Sequence, residues 1–282
     1  MTDIKEIGHV YRVNEEGHLI NESELAKIDH TFRSAIDTVL DICLQALPND
    51  IHSIYVRGSL PRGLGIAGVS DIDLIVLTYS QPEELPLDWE RGAEARVKEA
   101  YPFVNGIEIV FSSLDNLLDT RRFGIIPFMV KTYSVCVYGE NVQQQLPPYQ
   151  ADRALANDHI IHIRSQLHQA ASDLTDNEDE AEVEDCCEWI MKMMVRCGLA
   201  LVMMHEHTYT RDLYPAYTLF AKHYPKKEPE MKTALVYAIN PSCQPELLLP
   251  FLERFGAWLL AEAENWLNVH NPERVVHLEQ NC

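Results

Sequence analysis

The chain has 282 residues, of which 46% are hydrophobic and 23% charged, enough to bury one large core or two ordinary ones. Lys and Arg number 23 against 43 Asp and Glu, a formal charge of −20, which repels phosphate backbones and counts against bulk nucleic-acid binding while favouring metal ions or a cationic partner. No apolar run reaches the roughly 20 residues of a membrane span, and the first residues lack the basic start and apolar stretch of a secretory signal. The seven cysteines are irregularly spaced without a C-x-x-C, so neither a disulfide framework nor a cysteine zinc site is expected, and a reducing cytoplasm is the expected compartment.

Residues 1–25 read as an irregular lead-in containing Gly17. From about Leu25 to Leu47, Ile28, Phe32, Ile36, Val39, Leu40 and Cys43 recur every three or four residues, which predicts an amphipathic helix ended by Pro48-Asn49-Asp50. A β-branched stretch from Ile51 to Val56 predicts a strand. It leads into Gly58-Ser59 and a loop holding Pro61, Gly63, Gly65 and Gly68. A strand is predicted over Ile72–Leu77, a helix over 88–100, another strand over Gly106–Phe111, and a last apolar stretch, Ser134–Tyr138, ends at Gly139. Past Pro147-Pro148 helical periodicity dominates to the end, with breaks expected near Pro215, Pro225, Pro241, Pro245 and Pro250. The expected architecture is an α+β domain over 1–148, a mixed sheet with flanking helices, followed by an all-helical domain over 149–282. No repeat of solenoid length occurs.

The chemistry concentrates between Arg57 and Leu77. Asp71 and Asp73 stand two apart on a predicted strand, so their carboxylates leave from one face. Two anions so placed repel unless a cation lies between them, and hard oxygen ligands of this kind suit Mg²⁺, which takes one or two carboxylates together with substrate phosphates. Gly58-Ser59, twelve residues earlier, offers backbone amides that an oxyanion can approach, with a hydroxyl beside them. Glu108 is an acid within the apolar run Ile107–Phe111; if its strand neighbours the first, it completes the cluster as a third metal ligand or as a general base. Arg62, inside the loop, is a candidate triphosphate contact or an ordinary surface arginine.

Gly58-Ser59, Asp71-Ile72-Asp73 and Glu108, in this order, resemble the nucleotidyltransferase superfamily whose catalytic domain is shared with DNA polymerase β. Val135-Cys136-Val137-Tyr138-Gly139-Glu140 looks like that family's last strand and the turn after it, and the resemblance covers residues 50–145. An acidic chain with a helical second half is most similar to the aminoglycoside adenylyltransferases of the streptomycin/spectinomycin type. The resemblance implies Mg²⁺, ATP as co-substrate and transfer of AMP to a hydroxyl of a small cationic acceptor such as an aminoglycoside, in a site between the domains. It also implies basic contacts to the ATP phosphates from the helical half, matched here by Arg196 and by Arg211 or Lys222.

Other readings stand beside these. Arg196 also suits a bridge to an acid on a neighbouring helix, and Lys192, four residues after Glu188, suits a helix-surface pair. The nine acids between Asp173 and Glu188 read as a solvated loop and helix start, or as the draw for a polycationic sugar. His205-Glu206-His207 lacks the spacing of a zinc site on a helix. Two further functional classes remain open: a nucleotidyltransferase acting on a protein or RNA end, and a nucleotide-binding module without turnover.

Overall fold

A computed structural model describes residues 4–280, which form a four-stranded mixed sheet with flanking helices followed by a largely helical region. The chain divides into two compact units, one of residues 20–149 with 280, the other of residues 4–19 with 150–279.

In the sheet unit, α1 (His30–Ala46) starts five residues after the predicted onset, because the Asp29 side chain accepts a hydrogen bond from Thr31 N and fixes the first turn there. Residues Leu25–Lys27 form a separate 3₁₀ turn. Phe32, Ala35, Ile36, Val39, Ile42 and Cys43 are the buried face of α1. The strands are β1 (Ile51–Arg57), β2 (Ile72–Thr78), β3 (Ile107–Ser113) and β4 (Ser134–Gly139), in the order β3-β2-β1-β4. β2 is antiparallel to β1 and parallel to β3, and β1 is antiparallel to β4. The parallel pair needs a crossover, which α2 (Glu90–Ala100) provides.

Side-chain alternation sorts the strands between two faces. Ile54, Val56, Ile72, Leu74 and Val76 join the core that includes Phe32, Val39 and Val97 of α1 and α2. Tyr55, Arg57, Asp73, Ile75 and Glu108 belong to the opposite face, which is why the apolar stretches of β1 and β2 are nearly continuous. Two helices beyond those expected follow β3: α3 (Leu114–Leu118), capped by Ser113, and α4 (Ile125–Tyr133).

The helical unit comprises α5 (Arg153–Ile160), α6 (Ile163–Leu174), α7 (Glu180–Glu206), α8 (Leu213–His223), α9 (Glu228–Ile239), α10 (Pro245–Phe251) and α11 (Ala257–His270). The 27-residue α7 is its spine, with Ile190, Met191, Met194, Val195, Leu199 and Met203 among its buried residues. The break expected near Pro215 is the non-helical segment 207–212 between α7 and α8, and Pro215 itself lies in the first turn of α8, where its missing N–H has no intrahelical acceptor to lose. At Pro250 the helix is not broken. The chain passes through a π-helical turn, Leu252–Gly256, directly into α11.

Residues 4–19, read from sequence as leading into the first domain, are tied to the helical unit. Tyr11 N donates to Tyr209 O at 2.8 Å, Thr210 Oγ1 to His9 O at 2.8 Å, and His9 N to Asp212 Oδ2 at 3.1 Å. Among the described residues no helix is long and apolar enough to cross a membrane.

Gly139 ends β4 at φ +76°, opposite Ser53, and an added Cβ would lie 2.0 Å from His52 O. Backbone strain of this kind costs about 1–3 kcal/mol before the clash is counted. Gly139→Ala is therefore expected to lower unfolding stability by at least about 2 kcal/mol, read from urea denaturation. An unchanged midpoint would mean that the end of β4 reorganises freely.

Candidate functional site

Three strands bring the sheet-unit residues together. Arg57 of β1 pairs in register with Asp73 of β2, and Asp73 pairs in register with Glu108 of β3, so the three stand in a row across one face. Arg57 Nη2 lies 2.6 Å from Glu108 Oε1 and 3.4 Å from Asp73 Oδ1. The arginine side chain is 5% exposed, that of Asp73 19% and that of Glu108 61%, so the row runs from interior to solvent.

Asp71 continues the pattern one step before the ladder. Asn105 N donates to Ser70 O at 3.2 Å and Ile72 N to Gly106 O at 2.9 Å, which sets Asp71 level with Gly106. Both aspartates lie over glycine backbone. A Cβ on Gly106 would be 3.1 Å from Asp71 Oδ1, and one on Gly58 would be 2.2 Å from Asp73 Oδ2. Gly58 also holds φ +85°, so that position needs glycine for both conformation and space.

The loop after Gly58 is fastened to itself. Ser59 Oγ lies 3.3 Å from Ser70 Oγ, which accepts from Ile66 N at 2.9 Å. Ser59 O accepts from Leu64 N at 3.0 Å. Arg62, in the 3₁₀ turn Leu60–Arg62, turns back so that its Nε donates to Gly58 O at 3.0 Å. That bond gives Arg62 a definite task in closing the loop under Asp73.

Two oxygen-bearing aspartates over glycines match a hard cation that completes its shell with water and phosphate oxygens. Glu108 stands level with Asp73, but its carboxylate is engaged by Arg57. Among the described residues no group of three or more His, Cys, Asp or Glu side chains is gathered so as to hold a metal ion. Asp71 and Asp73 offer hard oxygen donors of the type that Mg²⁺ takes one or two of, without a closed protein cage.

Sequence reasoning gave Arg57 no role, since its partners lie on strands that only the fold brings near it. The available signal was its period-two relation to Tyr55; its register with Asp73 exists only in the folded sheet.

In the helical unit, Arg196 of α7 and Arg211 both act electrostatically on His159 of α5. The His159 ring stacks on Tyr209 with centroids 5.9 Å apart, and Tyr209 stacks in turn on Tyr11 at 5.7 Å. Burial first, then the charges of Arg196 and Arg211, pushes the imidazole down to about 3. Its Nε2 is buried with no hydrogen-bond partner. Burial raises the neighbouring Asp158 carboxyl to about 6. The structure thus brings both arginines to one histidine. Lys222 is placed otherwise, 2.7 Å from Glu206, which also binds His223. Lys192 pairs with Glu188 one turn earlier. In the acidic run, Asp179 caps α7 by accepting from Ala181 N and Glu182 N, with Glu180 and Glu182 in its first turn.

A cleft of about 520 Å³ in the helical unit is lined by Lys227, Glu230, Tyr237, Phe251, Arg254 and Phe255, none of them a residue singled out from sequence. Lys227 is held 2.8 Å from Glu230 and over the Trp258 ring. No family model and no curated protein matches the chain.

Gly58→Ala is expected to displace the Asp73 carboxylate and lower divalent-metal affinity by roughly tenfold or more, the loss of one ligand charge, with the circular dichroism spectrum retained. Full metal affinity in a folded variant would show that Asp73 does not depend on that gap. His159 offers a second test. Its depressed folded-state value means that it adds stability above its unfolded value near 6.5, lost as pH falls from there toward 3. Its ring proton resonances should therefore hold their neutral shifts at pH 5, where an ordinary histidine is charged; titration near 6.5 would place it in water.

Proposed function

We propose that the chain is a Mg²⁺-dependent nucleotidyltransferase that moves AMP from ATP to a hydroxyl of a small cationic acceptor, such as an aminoglycoside. The observation that carries this reading is the row in which Asp73, lying against Gly58, stands level with Glu108 on the next strand. The order of Gly58-Ser59, Asp71-x-Asp73 and Glu108, which resembles the nucleotidyltransferases, supports it from sequence.

On this reading Asp71 and Asp73 hold Mg²⁺. When bound, the ion neutralises charge on the phosphates and on the departing pyrophosphate. The remaining work falls to the protein. The Gly58 backbone and the Ser59 hydroxyl orient the outer phosphates, and Arg62 braces the loop that presents them. Glu108 accepts the proton of the acceptor hydroxyl, a contribution of about 10²–10⁴-fold for a positioned base. The acceptor oxygen forms a bond to the α-phosphorus, and the bond from that phosphorus to the bridging oxygen breaks. Pyrophosphate leaves with its electron pair, and Glu108 returns the proton to solvent.

Arg196 and Arg211 belong to the proposal as further phosphate contacts. The resemblance supports this, since that family draws basic phosphate contacts from its helical half. A net charge of −20 supports a cationic acceptor over a polyanionic one.

The test uses ATP labelled on the α-phosphate, Mg²⁺, a panel of aminoglycosides and, in parallel, a cell lysate. Label on an aminoglycoside, abolished by Asp73→Asn without loss of fold, is the expected result. Label on a polypeptide or RNA would move the acceptor to that class, and absence of transfer to any of them would overturn the transferase reading.

A further inference from the structure

The proposed chemistry has Asp73 hold a divalent cation and Glu108 a proton, yet both carboxylates already share a cation that belongs to the chain. Arg57 occupies the first place in the row, and hydrogen-bonded ladders on both sides of β2 fix its level with Asp73 and Glu108. It is not a chance surface contact, since its side chain is only 5% exposed.

The pairing is uneven. A guanidinium that only braces a structure commonly engages a carboxylate through two parallel N–H groups. Here the nearest nitrogen to both carboxylates is the same one, Nη2, and Nε is buried with no hydrogen-bond partner. The contact is close to Glu108, at 2.6 Å, and looser to Asp73, at 3.4 Å. A buried charge shared in this way is satisfied electrostatically but not locked geometrically.

We infer that Arg57 is an internal counter-cation: it stands in for the divalent ion between Asp73 and Glu108, and gives up Asp73 to the metal while keeping Glu108 in place. The inference rests on the metal assignment above. It makes Arg57 a positioning residue with two effects. Before the metal arrives, the guanidinium keeps the two anions from repelling each other apart, so the row is preorganised. It also competes for Asp73, which weakens the site for free divalent ions. Metal arriving with a nucleotide brings phosphate oxygens, so added negative charge offsets the cation that stays behind.

Competition predicts an unusual sign. Removing a positively charged residue from beside the site should tighten the binding of free metal, whereas an arginine that merely supports the fold would leave affinity unchanged or weaken it. The experiment measures Mn²⁺ binding to the full chain by the electron paramagnetic resonance signal of free Mn²⁺, without nucleotide or turnover. It compares the wild type with the neutral variants Arg57→Met and Arg57→Gln and the charge-keeping Arg57→Lys. The Gln variant retains hydrogen-bonding capacity should the Met variant fail to fold, and circular dichroism and melting identify the folded ones.

The expected result is an affinity roughly tenfold or more above wild type in a folded neutral variant, on the scale of one lost charge interaction, with Arg57→Lys within about threefold of wild type. Unchanged or weaker binding in a folded neutral variant would overturn the inference while leaving the metal site standing. Asp73→Asn separates the two failures. If it binds Mn²⁺ as well as wild type, the metal assignment itself is wrong and the role of Arg57 falls with it.

Discussion

Two carboxylates at the same level of adjacent strands repel each other, and the sheet holds Asp73 beside Glu108 with a guanidinium closing the row. Much else follows from that arrangement. Arg57 can reach both acids only if β1 lies beside β2 and β2 beside β3, so the sheet order and the charge pattern require one another. The Asp73 carboxylate then needs space on its other side, and a glycine at 58 is the only residue type that leaves it. The loop beyond is fixed to that glycine by Arg62 and to the start of β2 by the Ser59–Ser70 contact. An acid–base pair of this kind adds little net stability by itself, because desolvation offsets the attraction. Its value lies in specifying where the charges sit.

The helical unit solves a different electrostatic problem. Asp158 and His159 are adjacent on α5, and burial pushes both toward their neutral forms, the carboxyl up to about 6 and the imidazole down to about 3. As the solution becomes mildly acidic the aspartate loses its charge without the histidine gaining one.

What could be read in advance depended on range along the chain. The helix at His30–Ala46 and the strands at Ile51–Arg57 and Ile72–Thr78 carry a local period and sharp punctuation at Pro48 and Gly58, so they were legible. The neighbourhood of Asp71 and Asp73 was legible too, because period two places them on one face. The alignment of Asp73 with Glu108 was legible only conditionally, since it depends on a pairing across 35 residues that no local pattern encodes. Arg57 escaped notice for the same reason: a charge at a strand end has no partner until the register is known. The helix Ile125–Tyr133 was hidden differently. Six of its nine residues are buried, so its apolar positions show no period against a polar background. The attachment of residues 4–11 to Tyr209–Asp212 is carried by main-chain and short polar groups that leave no compositional trace.

That attachment bears on how the chain closes on itself. The helical unit is assembled from both ends of the chain, with the sheet unit encoded between them. His9 and Tyr11 find their hydrogen-bonding partners at Tyr209–Asp212, some 200 residues further along the chain. Residues 20–149 of the sheet unit all lie between the two segments of the helical unit. Closing that contact bridges about 200 residues, so it carries a larger loop-closure cost than the local pairs Asn14–His18 and Val13–Leu19 formed within the same segment.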